Sequence, residues 1–316
     1  TMNIAFLLPA VSCGASLLLC AALIPLLKKL RAGQYILGYV EEHKEKTGTP
    51  TMGGLAFIAA AALTALVFGL YADRHTAVAV TFGAAYAAVG FLDDLLKLRR
   101  RRNLGLKAYQ KIVFQAAVAL LAGVYCYRAR LTVLYIPFAG IEWDIGGWVV
   151  PLAAFAFVAA TNCVNLTDGL DGLAASVCLC YFAALAALIW KEGESEPLFQ
   201  MALVLCGALA GYLPYNTSRA SVFMGDTGSL GLGGFVAALS AFSGNLLYIA
   251  VVGVMFVCSG ISVLCQVIYY KKTKKRLFRM APLHHHLQKL GYSESKIACA
   301  YSLITALAGL LCLAFV

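Results

Sequence analysis

The chain has 316 residues, 61% hydrophobic and only 13% charged, with 25 Lys and Arg against 15 Asp and Glu for a formal net charge of +10. Its mean hydropathy is +0.81. A water-soluble domain carries about twice that charged fraction, and apolar runs of about twenty residues, long enough to cross a bilayer, recur throughout. A soluble fold is therefore excluded, and an all-α polytopic membrane protein is expected, a single domain over residues 1–316.

Ten spans are expected, at about 4–27, 52–72, 77–92, 111–127, 148–165, 172–190, 198–213, 228–243, 247–270 and 297–316. The first lacks a basic start and a small-residue cleavage site, so it reads as a retained span. Of the eleven cysteines, ten lie inside apolar runs and none forms a C-x-x-C pair, so packing explains them better than metal or disulfide chemistry. The connections at 28–51, 93–110, 162–171, 214–227 and 271–296, with the helix start beside them, carry 21 of the 25 basic residues. The positive-inside rule puts these loops in the cytoplasm and both termini outside. Charge distributed in this way indicates a membrane surface as partner, not nucleic acid, and the Arg99–Arg102 run suits anionic lipid. The opposite-side segment 128–147 alternates apolar and polar residues around Ala139-Gly140 and predicts a short β-hairpin on the outer face.

Chemistry concentrates in the cytoplasmic loops. The first carries Lys44 and then TPTMGG at 49–54. Its irregular backbone could hold an anion, or Thr49 could cap a helix with Pro50 at the first helical position. Asp93 and Asp94 end the third span, with Lys97 at i+4 and i+3. An ordinary ion pair is one reading; a working pair of acids is the other, because acids at the end of an apolar span are costly. Adjacent helical residues diverge by about 100°, so different tasks are expected for the two. Residues 162–171 set Asn162, Asn165, Asp168 and Asp171 at spacings of three, with no Lys or Arg beside them. That spacing shares one broad helical face, with a break at Gly169 and Gly172.

Asp226 is the only acid between Glu196 and Glu294. It stands in a stretch rich in Gly and hydroxyls and poor in basic partners, where it could cap a helix or hold Mg²⁺. Phe223 in the same loop suits base stacking or membrane anchoring. His284, His285 and His286 are consecutive and lack Cys or Glu partners at zinc spacing, so phosphate or sugar contacts fit them better.

Taken in order, TPTMGG at 49–54, FLDD at 91–94, NCVNLTDGLDGLA at 162–174, VFMGDTGSL at 222–230 and RMAPLHHH at 279–286 resemble the polyprenyl-phosphate N-acetylhexosamine-1-phosphate transferases. The APLHHH form is similar to their phospho-N-acetylmuramoyl-pentapeptide-transferase branch; a GlcNAc-1-phosphate transferase is the alternative. The resemblance spans the chain from end to end. It implies an enzyme of the bacterial cytoplasmic membrane, active on the cytoplasmic face in peptidoglycan synthesis. Undecaprenyl phosphate would attack UDP-MurNAc-pentapeptide, giving lipid I and UMP, with Mg²⁺ as cofactor. It further implies that Asp93 positions or deprotonates the lipid phosphate beside Asp94 and Lys97, and that Asp226 holds Mg²⁺ with Asn165 as a second oxygen. Phe223 would stack on uracil, with Lys44, Asn216 and Asp171 around the nucleoside and Asp168 nearby. Thr49 and Asn162 join these as substrate-binding candidates, His284, His285 and His286 would touch phosphate, sugar or peptide, and a homodimer is compatible with the pattern. A secondary transporter would bury its acids mid-span, and a lipid-binding scaffold would not need Asp93, Asp94 and Asp226 together.

Overall fold

The computed structural model describes residues 2–30, 48–100, 105–193, 195–217 and 219–316. Twelve α-helices and one hairpin are found among them. They are α1 (Met2–Lys29), α2 (Gly54–Val67), α3 (Arg74–Arg100), α4 (Ala108–Arg128), β1 (Val133–Ile136), β2 (Ile141–Asp144), α5 (Val149–Thr167), α6 (Leu173–Glu192), α7 (Glu196–Asn216), α8 (Gly225–Phe242), α9 (Tyr248–Val252), α10 (Val254–Thr273), α11 (Leu283–Lys289) and α12 (Glu294–Leu313). Eight of the described helices are long and apolar enough to cross a membrane, and α2 is a shorter apolar helix. The chain is a polytopic all-α membrane protein, because only helices satisfy their own backbone groups in lipid when no barrel closes.

Every residue of α8 from Thr227 to Phe242 is buried, and α2, α3 and α5 pack around it. Its glycines make this possible. A Cβ at Gly54 of α2 would strike the Gly228 backbone, and one at Gly90 of α3 would strike the Asp226 carbonyl. Small residues at such crossings let backbones approach where lipid offers no hydrophobic drive between helices.

Each expected span meets a helix, with three differences. The third runs from 74 to 100, not 77–92, since Asp93, Asp94 and Lys97 find partners within the protein and the helix need not stop at the apolar edge. The ninth is divided at Gly253 into α9 and α10. The second begins at Gly54, because Pro50 O accepts from Phe223 N–H at 2.8 Å while Gly53 N–H donates to Phe223 O at 2.8 Å. This pairing removes the helix-cap reading of Thr49 and Pro50. The cap of α2 is Gly53.

The hairpin forms as expected, with Val133 opposite Asp144 and Ile136 opposite Ile141. Tyr135 N–H donates to Gly244 O at 3.0 Å, tying it to the far end of α8. Trp143 and Trp148 are exposed there, as aromatic side chains at a membrane boundary commonly are.

Candidate active site

Four helix ends meet opposite the hairpin: the C-termini of α3 and α5 and the N-termini of α4 and α8. They bring Asp93, Asp94 and Asp226 together, one oxygen from each lying within 4.8 Å of the others. Asp93 and Asp94 are 3% and 2% exposed, so their charges must be matched locally. Lys97 Nζ lies 2.7 Å from Asp93 Oδ2, 3.7 Å from Asp94 Oδ1 and 3.0 Å from Asp226 Oδ2. The ordinary ion pair considered for Lys97 is thus replaced by a half-buried bridge among three acids.

Asp226 corrects a sequence reading. Its linear neighbourhood is poor in basic residues, but Lys111 from the first turn of α4 reaches it at 2.9 Å beside Lys97. It does not cap α8 either; that position is Met224. Asp94 performs the capping from α3. Its carboxylate accepts from Asp226 N–H at 3.2 Å, Thr227 N–H at 2.9 Å and Thr227 Oγ1 at 2.7 Å, where a helix N-terminus favours negative charge. Asp93 Oδ1 accepts from Leu106 N–H at 2.7 Å. Adjacent on one helix, the two acids do different work, as their divergence requires.

Asn165 joins this centre. Its Nδ2 donates to Asp226 Oδ1 and to Ser229 Oγ, both at 2.8 Å, and its Oδ1 lies 3.4 Å from Lys111 Nζ. Asn162, one turn deeper, donates to Gln115 Oε1 at 2.6 Å. Lys111, Gln115, Thr227 and Ser229 were not singled out from the sequence. A lysine at the mouth of an apolar helix is the usable signal for Lys111.

Helix α5 ends at Thr167, and the turn at 168–172 carries the other acids. Asp168 is half-buried. Desolvation, with the like charges of Asp226, Asp94 and Asp171 against the pull of Lys97, pushes its carboxyl up to about 8. Asp171 Oδ2 accepts from Ala220 N–H at 3.0 Å, and its own N–H donates to Glu294 Oε2 at 2.9 Å. Asn216 Oδ1 accepts from Gly172 N–H at 3.2 Å, and its Nδ2 donates to Val222 O at 3.0 Å. These two join the 168–172 turn to the 219–224 loop. Phe223, in that loop, is half-buried with no aromatic partner among the described residues. Thr49 is half-buried beside the paired Pro50. Lys44 lies outside the described residues.

The three histidines occupy α11: the His284 and His285 rings lie together, centroids 4.4 Å apart, beside Gly169, while His286 turns toward Phe278. His284 is wholly buried, neither ring nitrogen has a hydrogen-bond partner, and a Cβ on Gly169 would strike its Nε2. Burial, with His285 beside it, lowers its pKa to about 3. His285 Nδ1 meets Gln288 Oε1 at 3.1 Å, and His286 Nδ1 accepts from Arg279 N–H at 3.2 Å.

Fold and site define a polytopic membrane protein with a centre of acids and lysines where its helices end. A family model described as glycosyl transferase family 4 matches residues 76–244. A phospho-N-acetylmuramoyl-pentapeptide-transferase of Clostridium botulinum (strain Alaska E43 / Type E3) is 40% identical over 291 residues, 92% of this chain and 90% of the relative. One of Clostridium novyi (strain NT) is 40% identical over 90% of this chain and 88% of its own length. Another, of Oceanobacillus iheyensis, is 39% identical over 322 aligned residues, 98% and 95% of the two chains. The chain belongs to glycosyl transferase family 4 and, within it, to the phospho-N-acetylmuramoyl-pentapeptide-transferases.

Proposed function

We propose that the protein transfers phospho-MurNAc-pentapeptide from UDP-MurNAc-pentapeptide to undecaprenyl phosphate on the cytoplasmic face of a bacterial membrane, forming lipid I and releasing UMP. The observation that carries this reading is the meeting of buried Asp93 and Asp94 and half-buried Asp226 with Lys97 and Lys111 at the end of an apolar bundle. A lipid-anchored nucleophile and a soluble nucleotide can meet only at such a boundary.

Phosphoryl transfer asks the protein chiefly for positioning and charge neutralisation. An oxygen of the lipid phosphate attacks the β-phosphorus, its bond to the bridging oxygen breaks, and UMP leaves with that electron pair. Lys97, now shared among three carboxylates, and Lys111 are placed to neutralise phosphate oxygens. Asp93, paired with Lys97, positions the nucleophile and can accept a proton from it. The half-buried Phe223 offers uracil a face, and the 168–172 turn with the half-buried His285 lines the approach for sugar and peptide.

The carboxylates suit Mg²⁺: three share one small volume, and Asn165, whose Nδ2 now donates to Asp226 Oδ1, carries its amide oxygen 3.4 Å from Lys111 Nζ at the edge of the centre. Asp226 and Asn165 would hold it, and when bound the ion neutralises diphosphate oxygens. UMP release by purified protein with undecaprenyl phosphate tests the whole reading. It should require UDP-MurNAc-pentapeptide, fail with UDP-GlcNAc, and stop on chelation until Mg²⁺ is returned. Turnover of UDP-GlcNAc, or full activity in chelator, would overturn the substrate or the metal respectively.

A further inference from the structure

Behind the histidine run, three half-buried side chains form a directed chain of hydrogen bonds. His285 Nδ1 and Gln288 Oε1, one turn apart on α11, are separated by 3.1 Å. Gln288 Nε2 reaches Glu294 Oε1 at 3.5 Å, and Glu294 Oε2 accepts from Asp171 N–H at 2.9 Å. Each link fixes the next. A carboxylate only accepts, and Glu294 opens α12, where a helix N-terminus favours its negative charge. The Gln288 amide must therefore turn its NH₂ toward Glu294, which leaves its oxygen facing His285. That oxygen also only accepts, so Nδ1 of His285 carries a proton, and in the neutral ring Nε2 is a bare acceptor. This second nitrogen faces the 168–172 turn: a Cβ on Gly169 would stand 3.0 Å from it. His286 is held in the opposite sense, its Nδ1 accepting from Arg279 N–H at 3.2 Å.

We propose that Gln288 and Glu294 are positioning residues that hold His285 with Nδ1 protonated, so that its Nε2 accepts a hydrogen bond from a hydroxyl or amide N–H of the substrate's sugar and peptide. A phosphate oxygen, itself an acceptor, is the wrong partner for that nitrogen. The substrate half of this inference rests on the proposed function; the tautomer does not.

Magic-angle-spinning nitrogen-15 NMR reads the tautomer directly, on the full chain labelled at its histidine rings and held in lipid bilayers above the histidine titration range. The chain has five histidines, and the His285 signals are those missing from His285→Asn. Wild-type His285 should show a protonated Nδ1 and a bare Nε2. Gln288→Leu removes the acceptor, and the proton should move to Nε2, the form that imidazole prefers in water. Glu294→Gln keeps the volume but lets the Gln288 amide reverse, and should give a mixture of both forms. A protonated Nε2 in the wild type, or the wild-type tautomer in both variants, overturns the relay whatever the substrate is. In turnover, Gln288→Leu should raise KM for UDP-MurNAc-pentapeptide about tenfold with kcat within about twofold, the scale of one lost hydrogen bond. An unchanged KM despite the moved proton overturns the substrate contact. A wild-type chain that releases no UMP would instead sink the proposed function and that contact with it, while the tautomer is read independently.

Discussion

Asp94 accepts three hydrogen bonds from the start of α8, whereas Asp226 faces two lysines and an amide. Asp94→Ala should therefore act mainly on the fold, leaving buried donors unpaired at a cost of about 1–3 kcal/mol and lowering the unfolding midpoint in detergent. Lys111→Gln should keep the midpoint close to wild type but slow UMP release by about 10²–10³, the scale of losing one preorganised donor. A slow, unstable Lys111→Gln would return that residue to structure. Asp168 gives a pH test. Desolvation and the neighbouring carboxylates push its carboxyl up from 3.8 to about 8. A raised carboxyl pKa means that folding favours the neutral form, so the stability it adds is complete below about pH 4 and lost as pH rises through about 8. The midpoint of wild type should fall more steeply over that window than that of Asp168→Asn; equal slopes would show the carboxyl ionised throughout. At this scale Asp93, Asp94, Asp226 and Asn165 were legible as residues of interest, because acids and amides stand out in an apolar chain. Their partners were not. Lys97 and Lys111 reach Asp226 from positions 129 and 115 residues away in sequence, and a linear reading sees only the Gly and hydroxyl groups beside it.

Among the elements, α8 depends most on what it lacks. Its glycines and those of α2 and α3 let three backbones approach closely, and this approach sets the Asp226 backbone against α3. Gly90→Ala would drive a methyl group into the Asp226 carbonyl. It should cost about 1–3 kcal/mol as overpacking, with UMP release lost in proportion as the N-terminus of α8 shifts. Gly14→Ala, in α1 with nothing within 4 Å of the added carbon, should be neutral or slightly stabilising, since alanine favours a helix by about 1 kcal/mol over glycine. Thermal midpoints of the two variants, measured side by side, check the contrast. Hydropathy revealed where helices run but not where they end. The extension of α3 past Leu92 depends on cross-helix partners for its acids, and the late start of α2 depends on pairing with residues 223 and 224. The break at Gly253 is likewise invisible in an apolar run.

For the whole molecule, the asymmetry of basic residues fixes an expectation about orientation that the helix order makes specific. The acidic centre and α11 sit at the ends of α3, α5 and α10, and the hairpin lies at the opposite ends of α4 and α8. If 21 of the 25 Lys and Arg mark the cytoplasmic side, nucleotide and lipid phosphate meet where UDP-linked substrates are made, and the hairpin faces outward. Cysteines introduced at Glu142, exposed on β2, and Lys275, exposed after α10, separate the two sides. The background should carry alanine at Cys265 and Cys299, the two exposed native thiols among eleven free cysteines. A membrane-impermeant maleimide should label Glu142→Cys in intact cells and Lys275→Cys only after lysis. The reverse pattern would invert every helix together, leaving the acidic centre on a face without nucleotide, and the proposed reaction could not stand.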